Sequence, residues 1–192
     1  MNNQNENSRT DEALVERVLN GDTNAFRTIM NNTEGLVAQI IFKMVADGED
    51  RRDLAQDVYL KVFKKLSGFR FNSKLSTWVG QIAYNTCLNY LQKKRLVLVD
   101  ENDFDGFNQL YSDEAESLVL TKELSQVLRI EIDKLSPLYR TLITLYHNED
   151  LSYSMIAQIT ELPEGTVKNY LFRARKVLRD KLLHIYNKEV SR

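Results

Sequence analysis

The sequence predicts an all-α fold of two small helical units, and three observations carry that prediction. Only 2 Pro and 7 Gly occur in 192 residues, so few positions refuse a helix. Apolar residues recur at three- and four-residue spacings over most of the chain, the period of a helix with one buried face. One stretch, Val97 to Ser112, lacks that period and holds Asp100, Glu101, Asp103, Asp105 and Gly106. It reads as an acidic linker, spanning 96–113, between a unit at 11–95 and a unit at 114–192.

Residues 1–10 are polar and Asn-rich and read as a disordered tail. A helix opens at Thr10-Asp11-Glu12, with acids in the turn where the helix dipole favours them, and Leu14, Val15, Val18 and Leu19 give its apolar face. Asn20-Gly21-Asp22 is a turn. A second helix runs from Thr23 to Met44, with a bend expected at Asn31-Asn32-Thr33. A third runs from Arg52 to Leu66, its apolar side built from Leu54, Val58, Leu60, Val62, Phe63 and Leu66, and Ser67-Gly68 ends it. After an aromatic and basic loop, Phe69 to Lys74, a fourth runs from Leu75 to Lys94 with Trp78, Ile82, Cys87, Leu88 and Leu91 inward. Helical spacing resumes after Asp113. Ser136-Pro137 then caps and starts a helix to His147. A short helix from Ser152 to Thr160, a turn at 161–164 and a long helix from Gly165 to Tyr186 complete the chain.

Composition excludes several classes. No apolar run approaches the roughly 18 residues that cross a bilayer, and the N-terminus has no apolar signal core. A lone Cys87 rules out an internal disulfide and a cysteine zinc cage, and fits a reducing, cytoplasmic compartment. His147 and His184 leave little for a metal site or a histidine-dependent triad, no Gly-rich phosphate loop is present, and no cofactor is expected. The net charge of −1 hides segregation: residues 51–95 hold 10 basic and 2 acidic side chains, and residues 135–192 hold 9 and 6. Between them, residues 96–134 hold 3 and 10. Two basic blocks around an acidic one suggest two surfaces for a polyanion.

The second basic block has the shape of a helix-turn-helix. Ile156, Ala157, Ile159, Val167 and Leu171 face inward, and Leu162 to Gly165 make the turn. Lys168, Asn169, Phe172, Arg173, Arg175 and Lys176 face out, where Lys and Arg suit phosphates or guanine edges and Asn suits adenine. An ordinary helical hairpin with a basic face satisfies the same spacing, and Phe172 fits the core as well as a base contact.

Longer motifs carry a resemblance. Asp53-Leu54-Ala55-Gln56-Asp57-Val58-Tyr59-Leu60-Lys61 resembles the polymerase-binding helix of bacterial sigma factors. Thr77-Trp78-Val79, Ile82 to Thr86 and Asn89-Tyr90-Leu91 are similar to their promoter-melting helix, and Leu151 to Arg175 is similar to their second DNA-reading domain. With two such regions and a short linker, the chain looks like a member of the sigma-70 family, extracytoplasmic-function (ECF) group. The resemblance implies a non-catalytic initiation factor that binds core RNA polymerase, directs it to promoters and helps open them. Asp53, Leu54, Gln56, Asp57 and Leu60 would then meet the clamp helices of the polymerase β′ subunit. Phe69, Arg70, Phe71, Asn72, Ser73, Lys74, Trp78 and Asn85 would take the minus-ten DNA, where aromatic and amide groups stack on and bond an unpaired base. Thr166, Lys168, Asn169, Phe172, Arg173 and Arg175 would face the minus-thirty-five element, with Arg175 as an alternative contact for the β flap. An anti-sigma factor enters as a candidate partner, as family members are often held by one.

Gly80 and Gln81 depart from the aromatic and Arg usual in the family. Gly80 costs about 1 kcal/mol of helix propensity relative to Ala, and a weaker minus-ten contact is the expectation. The 18-residue linker reaches roughly 60–65 Å when extended, against roughly 55 Å between elements 16 or 17 base pairs apart. Its acids complement either basic block, so an autoinhibitory contact through the linker is a second expectation. A plain helix-turn-helix regulator explains residues 135–192 alone and leaves the Asp53 helix and the Phe69 loop without a role.

Overall fold

The computed structural model describes residues 2–98 and 122–190, and every regular element among them is helical. The helices are α1 (Asn2–Leu19), α2 (Thr23–Met44), α3 (Gly48–Lys65), α4 (Leu75–Leu98), α5 (Lys122–Asp133), α6 (Pro137–His147), α7 (Tyr153–Thr160) and α8 (Glu164–Val190), with a 3-10 turn at Leu66–Gly68. The expected linker lies almost wholly outside the described residues. The first ten residues, expected to be a tail, are helical from Asn2. Once the Asp11–Leu19 segment nucleates a helix, adding ordinary polar residues to it costs little.

Polar residues set most helix starts. Asp22 caps α2 by accepting from the Asn24 and Ala25 amides at 2.9 and 3.1 Å, and Arg17 grips the same carboxylate at 2.7 Å. That pairing holds the Asp22 carboxyl below its ordinary range. Asp47 caps α3 through Glu49 and Asp50, and Ser136 and Ser152 cap α6 and α7 as expected. The α4 cap comes from afar: Asp11 of α1 accepts from the Leu75 amide at 2.9 Å.

The expected bend in α2 does not break the helix. Thr33 is buried and returns its hydroxyl to the Ile29 carbonyl at 2.8 Å, and Tyr59 of α3 stands 3.2 Å from that hydroxyl. Helix α2 runs unbroken through Asn31-Asn32-Thr33.

One apolar cluster runs through both units. In the first, Ile29, Val37 and Ile40 of α2 meet Val58 and Val62 of α3 and Val79 and Ala83 of α4, all nearly inaccessible. In the second, Leu142, Leu145, Ile156, Ile159, Val167 and Leu171 are equally buried. Burying each such Ile or Leu contributes on the order of 1.5–3 kcal/mol. The units pack directly, α7 on α4 and α6 on α2. Arg140 of α6 is buried between them, its Nε donating to the Lys43 carbonyl at 2.6 Å and its Nη1 to the Asp133 carbonyl at 2.8 Å. Lys43 in turn pairs with Asp133 at 2.7 Å.

Candidate nucleic-acid and polymerase interface

On α3, Asp53, Gln56, Asp57 and Leu60 recur at helical spacing and all four are exposed, so they form one outward stripe. Leu54 does not join it: at 7% exposure it points into the core. Leu60 and Phe63, expected inward, are each 56% exposed. Helix α3 is apolar on two sides, and period alone does not say which side a neighbour covers. Phe63 therefore extends the stripe, its ring edge against Phe26 at 5.1 Å, and it was missing from the residues expected there.

The loop after α3 is built on rings. Phe69 is buried and its ring lies 5.0 Å from Trp78 and 4.7 Å from Phe71. Phe69 is thus the pedestal, and Phe71, 37% exposed, is the ring on offer. Phe71 adopts φ 57°, a left-handed conformation that costs a non-glycine residue about 1–2 kcal/mol. Arg70, Asn72, Ser73 and Trp78 line one cavity of about 440 Å³ with Thr77 and Gln81. Thr77 is buried, and its hydroxyl has no hydrogen-bond partner among the described residues, so an acceptor or donor is left over at that wall. Gln81 was absent from the expected residues, although it follows Trp78 by three positions and precedes Asn85 by four, on the same face. Lys74 is exposed and borders a different hollow beside Asp11 and Leu75.

The basic end of α4 is partly engaged. Lys94 bonds Tyr90 at 2.8 Å and Asp50 at 3.3 Å, and Tyr90 donates to the same Asp50 carboxylate. The network holds Asp50 below and Lys94 above their ordinary ranges, chiefly through Tyr90.

The helix-turn-helix forms as expected. Lys168, Asn169, Phe172 and Arg173 project from the first half of α8 into solvent, and Thr166 is half-buried at its start. Phe172 is 67% exposed and is not core. Lys168 is held by Glu164 at 2.7 Å and lies 5.4 Å from the Tyr153 ring centre. Arg175 turns the other way, over the Tyr146 ring at 4.8 Å and 3.3 Å from His147 Nε2. Partial burial, then Arg175, press the His147 pKa below its ordinary value. Tyr146 and Tyr153 stack at 4.9 Å beneath. Arg175 braces this aromatic platform, while Asn169, Phe172 and Arg173 form the free outer edge.

No group of His, Cys, Asp and Glu suited to a metal occurs among the described residues, and no described helix is long and apolar enough to cross a membrane. Burial pushes the Cys87 thiol up to about 12, which rules it out as a nucleophile near neutral pH.

The comparisons with known proteins follow the two units. The family model Sigma-70 region 2 matches residues 29–97, and Sigma-70, region 4 matches residues 125–178. The chain is 35% identical over 181 residues to the ECF RNA polymerase sigma-E factor of Haemophilus influenzae, covering 90% of this chain and 95% of that one. The Escherichia coli sigma-E factor matches at the same identity, with 94% of its length covered. Among solved structures, CnrH in complex with the cytosolic domain of CnrY aligns with a TM-score of 0.62 at 19% identity, over 90% of this chain and 96% of that one. The sigma factor RpoE of Bartonella quintana, in complex with the anti-sigma factor NepR, aligns at 0.61 and 24%, over 82% and 96%. At those identities the structural likeness speaks for the fold.

Proposed function

The chain belongs to the sigma-70 family as an ECF sigma factor for transcription initiation, a non-catalytic class, and on that footing we propose a division of labour along it. The α3 stripe of Asp53, Gln56, Asp57 and Leu60, extended by Phe63, docks on the β′ clamp helices of core RNA polymerase. The cavity beside Phe69 and Trp78 takes an unpaired base of the minus-ten element, with Phe71 as a stacking ring and Gln81 and Asn85 as amide donors. The outer edge of α8 reads minus-thirty-five DNA through Asn169, Phe172 and Arg173, and Lys168 reaches phosphate once it leaves Glu164. The working division is a polymerase- and minus-ten-binding unit at 11–95, a linker at 96–113 and a minus-thirty-five unit at 114–192, acting in the bacterial cytoplasm. An anti-sigma protein is a further proposed partner; both solved relatives named above are complexes, one of them with an anti-sigma factor.

The observation that carries this reading is the α3 stripe. Two carboxylates, an amide and two large apolar side chains share one solvent-facing stripe, where only Phe63, edge-on to Phe26, has a visible packing role. The test is binding of the chain to core polymerase beside an Asp53/Gln56/Asp57 triple alanine variant. Truncating hot-spot residues costs about 2 kcal/mol or more, so binding should fall at least about 30-fold. Equal binding by the variant would remove α3 from the interface. No binding by the parent chain, purified free of any partner, would leave a duplex-DNA regulator as the better account.

A further inference from the structure

The far wall of the loop cavity belongs to the other unit: Ala157, Gln158 and Glu161 close it from α7 and the turn that follows. Two features make that closure specific. The first is Gly80, buried on the α4 face that receives α7. A Cβ at position 80 would stand 3.2 Å from Ile159 Cδ1 of α7, 3.3 Å from Ile159 Cγ1 and 3.2 Å from Leu36 Cδ2 of α2. A larger side chain there would press on α7 and on α2 together, so the residue that weakens α4 as a helix also gives α7 its seat. The second is Glu161. It ends α7 in the left-handed region at φ 57°, and its Oε1 accepts from Gln81 Nε2 at 2.7 Å and from Asn85 Nδ2 at 3.3 Å. An acceptor oxygen that takes two side-chain amides occupies them as a nucleobase carbonyl would.

We propose that the helix-turn-helix unit caps the minus-ten cavity within the free chain, with Glu161 standing in for the unpaired base until the two units part. This rests on the sigma-factor reading above and adds its regulation. The contact is direct, between α7 and α4, and needs no part of the acidic linker. The α3 stripe stays exposed in the closed form, so polymerase can dock first and DNA can follow once the cap lifts.

The experiment uses the full chain and its single tryptophan, Trp78, which lines the cavity. Gly80→Gln crowds Ile159 across the seam, and Leu36 beside it, without adding charge, and Glu161→Ala removes the stand-in acceptor without touching α2. Glu149→Ala, half-buried on the same unit, controls for loss of one negative charge. Binding to a fluorescent pool of random 12-nucleotide single-stranded DNA is measured alongside Trp78 emission and far-UV circular dichroism. Both test variants should shift Trp78 emission to the red and bind the pool about fivefold more tightly or better, the scale of a typical intramolecular coupling. Glu149→Ala should match the parent. Folded variants with parental emission and affinity would overturn the cap, as would an equal gain from Glu149→Ala. Glu161→Ala lies at an exposed turn and keeps the test decisive if Gly80→Gln does not fold. Core-polymerase binding by the same samples separates the two readings: its absence from all of them sinks the sigma-factor assignment, whereas its presence with unchanged DNA binding sinks only the cap.

Discussion

Arg140→Met removes a guanidinium that serves two helix ends at once. The Lys43 carbonyl lies in the last turn of α2 and the Asp133 carbonyl ends α5, where the helix itself offers no donor. Arg140 donates to them at 2.6 and 2.8 Å from a side chain only 4% exposed. Methionine keeps the apolar stem and its packing, so the change isolates the polar contribution. A hydrogen bond from a charged group contributes about 1.5–3 kcal/mol, and the two share one donor, so a combined loss of about 3–5 kcal/mol is expected. At an m value of about 2 kcal/mol per molar in urea, the midpoint should fall by roughly 1.5–2.5 M. Trp78 emission follows the first unit and far-UV circular dichroism follows the whole chain. In the parent the two transitions should coincide, because one core crosses both units. Lys43→Met is the companion: Lys43 is only 9% exposed but its partner Asp133 is 41% exposed, so losing that pair costs about 1 kcal/mol, well short of Arg140. A shift below about 0.5 M for Arg140→Met would refute the reasoning, since it would mean water satisfies both carbonyls as well as the guanidinium does.

Two further outcomes are expected. Cys87 is fully buried with its thiol pushed up to about 12, so a thiol reagent at about pH 8 should leave the native chain unmodified and label it once per chain in denaturant; rapid native labelling would contradict the packing. Asp22 has a folded pKa depressed below 3.8 by Arg17 and the α2 amides, so the unfolded chain binds the proton more readily and stability must fall as pH drops through and below that value. Asp22→Asn should lower the melting temperature near neutral pH and flatten this acid limb; an unchanged limb would place the acid sensitivity elsewhere.

Much of this architecture was legible in the sequence because short-range chemistry dictates it. Ser136-Pro137 and Ser152 each act within one turn of the backbone, and each stands where spacing put it; the Ser67-Gly68 stop instead falls in a 3-10 turn after α3 has ended at Lys65. The exposed face of α8 was equally readable, since charged residues at helical spacing mark the solvent side. What failed to read was whatever a distant segment decides. Leu60 and Phe63 look like core until α4 and α2 cover the other side of α3 and leave them out. Gly80 looks like a defect in α4 until α7 arrives, and Glu161 looks like a misplaced acid in a DNA-binding turn until Gln81 and Asn85 are seen beneath it. Asp11 gives no local hint that it caps a helix 64 residues away.

Those long separations set a timetable for the chain as it is made. Ribosomes add about 5–20 residues per second, so Asp11 waits roughly 3–13 s for Leu75 to emerge. Glu161 follows Gln81 by 80 residues, a further delay of roughly 4–16 s. A small helical unit folds in microseconds to milliseconds, so α1 to α4 have time to pack on one another before the turn that bears Glu161 leaves the tunnel. Every newly made copy therefore passes through an interval of seconds in which the Phe69 loop is on the chain and its α7 cover is not, a history that refolding of the whole chain from denaturant does not share.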